Sequence, residues 1–199
     1  MENGAKVNEI GAIFGRQGMG KTTLARQLIE QSPRNIVLDT LGDDYAGGCV
    51  VDGLAGLVAY WNRVRGFERF TIIFKPKNDQ ERNGFFRLAV QVQNVVIWID
   101  EVDTYCSPGT IKKELWWLLN YGRHQGISVV ALARRPQDVH RKITAAAGWI
   151  IAHQTHEPRD LKYFSERFSD VSRIPHLRPF EWAWWGQSKM FDFARKEVV

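Results

Sequence analysis

The sequence lacks most of the features that would take it out of the ordinary run of water-facing globular proteins. Two cysteines, Cys49 and Cys106, in 199 residues exclude a disulfide framework, and neither stands in a metal-ligand spacing, so both read as small buried or loop thiols. His153 and His156 are close together but have no third ligand nearby, which argues against a metal centre. No apolar run approaches the ~20 residues that cross a bilayer; the longest, such as residues 145–152, fall well short. Residues 1–6 carry no apolar signal core, so no secretory route is expected and a cytoplasmic location is. Internal repeats, low-complexity tracts and long linkers are absent.

What remains is a hydrophobic content of 44% with 25% charged residues, enough for one substantial core, and residues 1–199 read as a single domain. A net charge of +5 permits a polyanionic partner without requiring one. Periodicity predicts strands near 10–14, 35–39, 69–74, 94–100, 127–133 and 149–153. Helices are predicted near 20–31, 53–64, 80–92, 110–121, 136–146 and 158–168, the first stopping before Pro33. This alternation is that of an α/β fold with a mainly parallel sheet between layers of helices. Glu157-Pro158-Arg159-Asp160 has the character of a helix start. The tail, residues 179–185 followed by Gly186-Gln187-Ser188 and residues 189–193, alternates large apolar residues as a C-terminal β-hairpin does. Its aromatics serve either to cover the sheet or a helix, or to make a subunit contact.

Chemistry enters with Gly15-Arg16-Gln17-Gly18-Met19-Gly20-Lys21-Thr22, which follows the apolar residues 10–14 and fits the phosphate-binding pattern G-x-x-x-x-G-K-[ST] in its strand-loop-helix setting. The glycines let successive backbone N–H groups curl around phosphate oxygens. Lys21 supplies a charge for the β- and γ-phosphates, Thr22 can ligate Mg²⁺, and Thr23 is placed to touch the α-phosphate. A second motif supports the first: the apolar run Val95-Val96-Ile97-Trp98-Ile99, expected of a strand buried on both faces, ends in Asp100-Glu101. An Asp there reaches the Mg²⁺ through water, and the following Glu can orient or deprotonate a water attacking the γ-phosphate. A water-activating Glu favours hydrolysis over phosphoryl transfer to a metabolite. ATP and Mg²⁺ are therefore the expected cofactors, although no base-reading motif separates ATP from GTP.

A third segment, Tyr121-Gly122-Arg123-His124-Gln125-Gly126, leads into the strand 127–133 and then Arg134-Arg135-Pro136-Gln137-Asp138. With the Walker A loop GRQGMGKT and the Walker B segment VVIWIDE, the order GRHQGISVVALARRPQ resembles the FtsK/HerA superfamily of ring-forming DNA-pumping ATPases over roughly residues 8–170. The resemblance implies a RecA-like ASCE P-loop fold with strand 127–133 between the Walker A and Walker B strands, and strand 149–153 on the far side of Walker A. Residues 171–199 then form an extension that carries the hairpin. It also implies that Arg134, which stands where a sensor Gln is common, comes close to the γ-phosphate, and that Arg123 is the candidate arginine finger acting on a neighbour's ATP. Which of Arg123 and Arg134 acts in trans stays open. Arg135, Arg141 and Lys142 read as surface or DNA-facing charges.

Within the superfamily, a compact core with a short hairpin looks like the genome-packaging ATPases of tailless, internal-membrane double-jelly-roll viruses. The resemblance implies a homo-oligomeric ring, a hexamer, gripping double-stranded DNA through phosphate contacts, with capsid-vertex or membrane proteins as partners at the packaging vertex of a virion or in the host cytoplasm. Lys112-Lys113 and the stretch 75–82 are candidate DNA-contacting loops. Alternatives are a plasmid or host DNA translocase, an ATPase extruding single strands, and a nucleotide-dependent switch or adaptor with little turnover.

Overall fold

The computed structural model describes residues 9–42, 45, 47–191 and 193. Residues 1–6, and Asp192 of the expected hairpin, lie outside them. Strand β1 (Ile10–Phe14) passes through the glycine loop into α1 (Lys21–Gln31) and β2 (Arg34–Leu38). Then follow β3 (Cys49–Val51), α2 (Gly53–Val64), β4 (Phe70–Phe74), α3 (Asp79–Ala89) and β5 (Val95–Ile99). A small hairpin of β6 (Cys106–Ser107) and β7 (Thr110–Ile111) leads to α4 (Lys113–Tyr121), a 3₁₀ turn at Gly122–Gln125 and β8 (Ile127–Ala133). The chain continues with α5 (Arg141–Ala146), β9 (Trp149–Ala152), α6 (Pro158–Ser165), a 3₁₀ segment at Val171–His176 and β10 (Ala183–Gly186).

Eight strands form one sheet in the order β10-β9-β1-β8-β5-β2-β4-β3, every pair parallel except β9 with β10. Strand β8 thus lies between the Walker A and Walker B strands and β9 on the outer side of β1, the order that the resemblance implied. In a parallel sheet the carboxyl ends of β1, β5 and β8 share one edge, which brings the glycine loop, Asp100-Glu101 and Arg134 together.

Period-2 alternation sends the strand side chains into two cores. One face buries Phe14, Leu38, Phe74, Ile97 and Val129 against α2 to α6; the other buries Ile13, Val37, Trp98, Val130, Trp149 and Ile151. That second face is covered by Leu24, Ala25, Leu28 and Ile29 of α1 together with Trp182, Phe191 and Phe193 of the tail. Phe191 meets Trp98 and Trp149 with ring centroids 5.9 and 5.7 Å away, and Phe193 meets Trp149 at 5.2 Å. The tail aromatics therefore complete the sheet's cover. The expected antiparallel hairpin is present as the pair β9–β10; residues 189–191 and 193 add no further strand, because Glu9 accepts hydrogen bonds from Ser188 Oγ and from the Lys189 N–H, turning the chain onto the sheet face.

At the far side of the same face, buried Asn35 accepts from Trp98 Nε1 at 2.9 Å and donates to Ile29 O and Ser32 O, tying the end of α1 to β2 and β5. Close packing sets Trp149 across Gly11, its register partner: a Cβ on Gly11 would lie 2.0 Å from the indole, which is fully buried. Gly11→Ala is therefore expected to cost about 2 kcal/mol by overpacking, a fall of roughly 4–8 °C in Tm for a chain of this size, read by thermal unfolding followed by circular dichroism. An unchanged Tm would show that the indole reseats freely.

Candidate nucleotide and hydrolysis site

The glycine loop is held at its root by two neighbouring strands. Gly15 N–H donates to Ala133 O at 3.2 Å and His153 N–H donates to Phe14 O at 2.8 Å. Gly15 is forced by the close approach of β9, since a Cβ there would lie 2.7 Å from the His153 Cβ. Burial pushes the His153 imidazole down to about 4, against a hydrogen bond between Nδ1 and Glu181 O at 3.0 Å, so the ring stays neutral beneath the loop at pH 7. At the loop's other end Gly18 (φ 80) and Gly20 (φ 101) take left-handed conformations that turn the backbone onto the first turn of α1. That helix begins without a side-chain cap and without an acidic residue in its first turn. The positive end of its dipole is left for an anion.

Across from the loop, Asp100 is 2% exposed, its carboxylate accepting from Tyr45 Oη at 2.8 Å and from the Glu101 N–H at 2.9 Å. Thr40 Oγ1 donates to Asp100 O at 2.9 Å, and Asp100 N–H donates to Leu38 O. These bonds fix the carboxylate at the end of β5. The chain then turns sharply: Glu101 has φ 48 and ψ 54, a left-handed conformation that costs a β-unbranched residue roughly 1–2 kcal/mol. Its Oε2 lies 3.4 Å from Arg134 Nε, the guanidinium being half-exposed.

Lys21 is 8% exposed among these charges. Burial lowers its amino group below the ordinary lysine value, while Glu101 and then Asp100 pull it back up and Arg134 works with the burial. Asp103 is raised, first by burial and then by the negative charge of Glu101. Arg134 is thus paired with Glu101, and Lys21 lies in the field of both Glu101 and Asp100.

A cleft of about 360 Å³ collects most of the residues singled out from the sequence: Arg16, Gln17, Gly18, Gly20, Lys21, Thr22, Thr23, Asp100, Glu101 and Arg134 line it, along with Leu41 and Phe180. Gly15 and Met19 belong to the same loop, Met19 N–H bonding back to Arg16 O and Met19 O accepting from the Phe180 N–H. Arg123 is not brought in. It sits in the 3₁₀ turn before β8, at the opposite edge of the sheet, lining a separate hollow with Glu9, Leu118 and Asn120.

Sequence reasoning missed Tyr45, Thr40, Asp103 and Phe180. Asp103 carries a local signal, two residues beyond Glu101; the others are joined to the site only by the folded chain. Of the basic candidates, Arg135 is paired with buried Asp160 at 3.1 Å and with Glu157 at 3.4 Å, anchoring the start of α6. Lys75 pairs with Asp39, Arg82 with Asp79, and Lys112 caps Asn83 and the Phe86 ring, whereas Lys113 is exposed.

A profile of the family described as ATPase family associated with various cellular activities (AAA) matches residues 12–151. No curated protein matches the chain. Among solved structures, the genome packaging NTPase B204 from Sulfolobus turreted icosahedral virus 2 in complex with AMPPCP is similar with a TM-score of 0.70 and 18% identity, over 88% of this chain and 91% of that one. B204, the DNA-packaging ATPase from Sulfolobus turreted icosahedral virus, is similar with a TM-score of 0.68 and 21% identity, over 94% and 96%. EssC (ATPases 2 and 3) from Geobacillus thermodenitrificans is similar with a TM-score of 0.58 and 15% identity, over 92% and 38%. At these identities the likeness is one of fold.

Proposed function

The chain belongs to the AAA family of ATPases, and from that premise we propose that it is a DNA-translocating motor which drives double-stranded DNA into a preformed viral capsid. Membership makes it a nucleotide-binding ATPase; the cargo is the proposed step. Support for that cargo comes from the shared fold and nearly equal extent with B204, a packaging NTPase, and from agreement of the sheet order with the FtsK/HerA resemblance. No helix among the described residues is long and apolar enough to cross a membrane.

In this reading the nucleotide's phosphates lie on the loop and the first turn of α1, with Lys21 against the β- and γ-phosphates. Thr22 and Asp100 would hold Mg²⁺, which supplies charge neutralisation at the phosphates. Both Asp100 oxygens already accept hydrogen bonds, which fits contact through water rather than direct ligation. Mg²⁺ commonly keeps several waters and takes phosphate oxygens, so one carboxylate and one hydroxyl from the protein would suffice. Glu101 then accepts a proton from the attacking water, and Arg134 stabilises charge on the γ-phosphate as it leaves its ion pair.

The observation that carries the ring is the position of Arg123. Seven residues of β8 separate its turn from the cleft edge, about 20 Å at the rise of a strand, so it cannot serve the nucleotide of its own subunit. A finger role at that position requires a neighbour, and hence an assembly in which one subunit's 3₁₀ turn faces the next subunit's cleft. Hydrolysis measured with and without double-stranded DNA tests the reading: DNA is expected to stimulate the wild type, and Arg123→Ala to lose about 10³-fold in turnover while keeping nucleotide affinity. DNA binding should weaken steeply as salt rises. Hydrolysis indifferent both to DNA and to Arg123 would sink the motor and leave an ATPase with another cargo.

A further inference from the structure

Phe180 is unusual in three ways at once. The residue is 59% exposed, it has a left-handed φ of 71, and it lines the same cleft as the glycine loop. Glu181 N–H donates to Arg178 O at 3.0 Å, closing a four-residue turn with Pro179 second and Phe180 third. That is the pattern of a type II turn, whose third position strongly favours glycine because of its positive φ. An aromatic residue here is strained, and burial does little to repay the strain, since the residue is mostly exposed.

The turn is nonetheless firmly attached to the loop. Phe180 N–H donates to Met19 O at 3.0 Å, Arg178 N–H donates to the Glu181 carboxylate at 2.7 Å, and a Cβ on Gly20 would come 2.8 Å from Phe180 Cδ1. His153, at the end of β9, holds the same turn through Glu181 O. These contacts put the ring on the β9 side of the glycine loop. Asp100, Glu101 and Arg134 lie on the other side, at the ends of β5 and β8. A nucleotide with its γ-phosphate toward the carboxylates must carry its base away from them, toward the tail.

We infer that Phe180 is the nucleobase platform of the cleft, a ring held over the loop by the tail turn and stacked on the face of the bound base. The tail thereby contributes a part of the nucleotide site that the Walker motifs do not encode. The platform reads the π-face common to all bases rather than a pattern of donors and acceptors. The inference rests on the reading of the glycine loop as the nucleotide site.

Calorimetric titration of ADP and of base-free tripolyphosphate, both with Mg²⁺, into wild type, Phe180→Gly and Phe180→Trp tests it. Glycine suits the left-handed φ, so the turn persists when the ring is removed. Phe180→Gly is expected to weaken ADP about tenfold or more while tripolyphosphate stays within about twofold, and Phe180→Trp to restore ADP. An ADP affinity unchanged in Phe180→Gly, or an equal fall for both ligands, overturns the platform and leaves the nucleotide site standing. A wild type that binds neither ligand overturns the nucleotide site and the platform with it.

Discussion

Glu101→Gln is expected to bind ATP as the wild type does and to hydrolyse it at least about 10²-fold more slowly. Binding survives because the loop, Lys21 and the helix end are untouched. Turnover falls because the amide cannot take a proton from water. The substitution is close to isosteric and leaves Arg134, 3.4 Å away, a neutral acceptor in place of a charged one. Phosphate release under saturating ATP, set beside the affinity for a non-hydrolysable analogue, separates the two effects. Near-wild-type turnover would remove Glu101 from the role of base. Attention would then pass to Asp103, the neighbouring carboxyl whose pKa is raised by burial and then by the Glu101 charge.

If Glu101 is the base proposed above, its ion pair with Arg134 would give it a resting state as well as a working one. With a guanidinium on its carboxylate, it would be occupied whenever the cleft holds no γ-phosphate to compete for Arg134. A triphosphate that draws Arg134 away would free the carboxylate at the moment a substrate arrives. Strain at Glu101 is consistent with this placement, because the left-handed turn after Asp100 aims the side chain into the cleft instead of along the strand.

The strands that build this edge were legible because burial on both faces leaves a mark in the sequence: Ile10–Phe14 and Val95–Ile99 are unbroken apolar runs between polar turns, and Ile127–Ala133 is interrupted only by Ser128, whose hydroxyl accepts from the Glu9 N–H. Strand β3, three residues after Gly47-Gly48 at the sheet's end, is too short to show a period. The helix expected over 110–121 begins only at Lys113, since Thr110 and Ile111 pair with Ser107 and Cys106 across Pro108-Gly109. That over 136–146 begins at Arg141, after a turn in which Asp138 N–H bonds to Arg135 O. In each case a local hydrogen bond competes with a helix that composition alone would allow.

Within the site, the legible part is whatever lies contiguous in the chain. The loop and Asp100-Glu101 announce themselves by spacing, and Arg134 was reached through the resemblance of its segment to the FtsK/HerA pattern. Tyr45 on Asp100, Thr40 on the Asp100 carbonyl and Phe180 over Gly20 come from segments 55, 60 and 160 positions away. Nothing in their local sequence marks them, because the property that matters is the register of β2 beside β5 and of the tail against β9. The same holds for Glu9, whose carboxylate gathers Trp149, Ser188 and Lys189 and so determines how the tail lies on the sheet.

Lys21→Met carries the other large expected effect, and its two readouts move in opposite directions. The variant keeps the length and apolar stem of lysine but loses the charge proposed to meet the β- and γ-phosphates. Charge-assisted hydrogen bonds of this kind are worth about 3 kcal/mol together, so Mg·ATP affinity should fall a hundredfold or more. The ligand-free protein should be no less stable than the wild type. Lys21 is held below its ordinary value in the folded chain, which means that burial disfavours its charged form by more than Glu101 and Asp100 favour it. An amine depressed in this way binds its proton less tightly folded than unfolded. At a pH below the folded value it therefore subtracts from stability, and the penalty is relieved as pH rises past that value. Removing the charge removes that penalty, a stability retained in exchange for function. Thermal unfolding without nucleotide should give a Tm equal to or above that of the wild type, and added Mg·ATP, which raises the wild-type Tm by mass action, should leave the variant's unmoved. A ligand-free Tm well below wild type would show instead that Lys21 is the cation that holds Asp100 and Glu101 in place. The carboxylates, rather than the phosphates, would then be its principal partners.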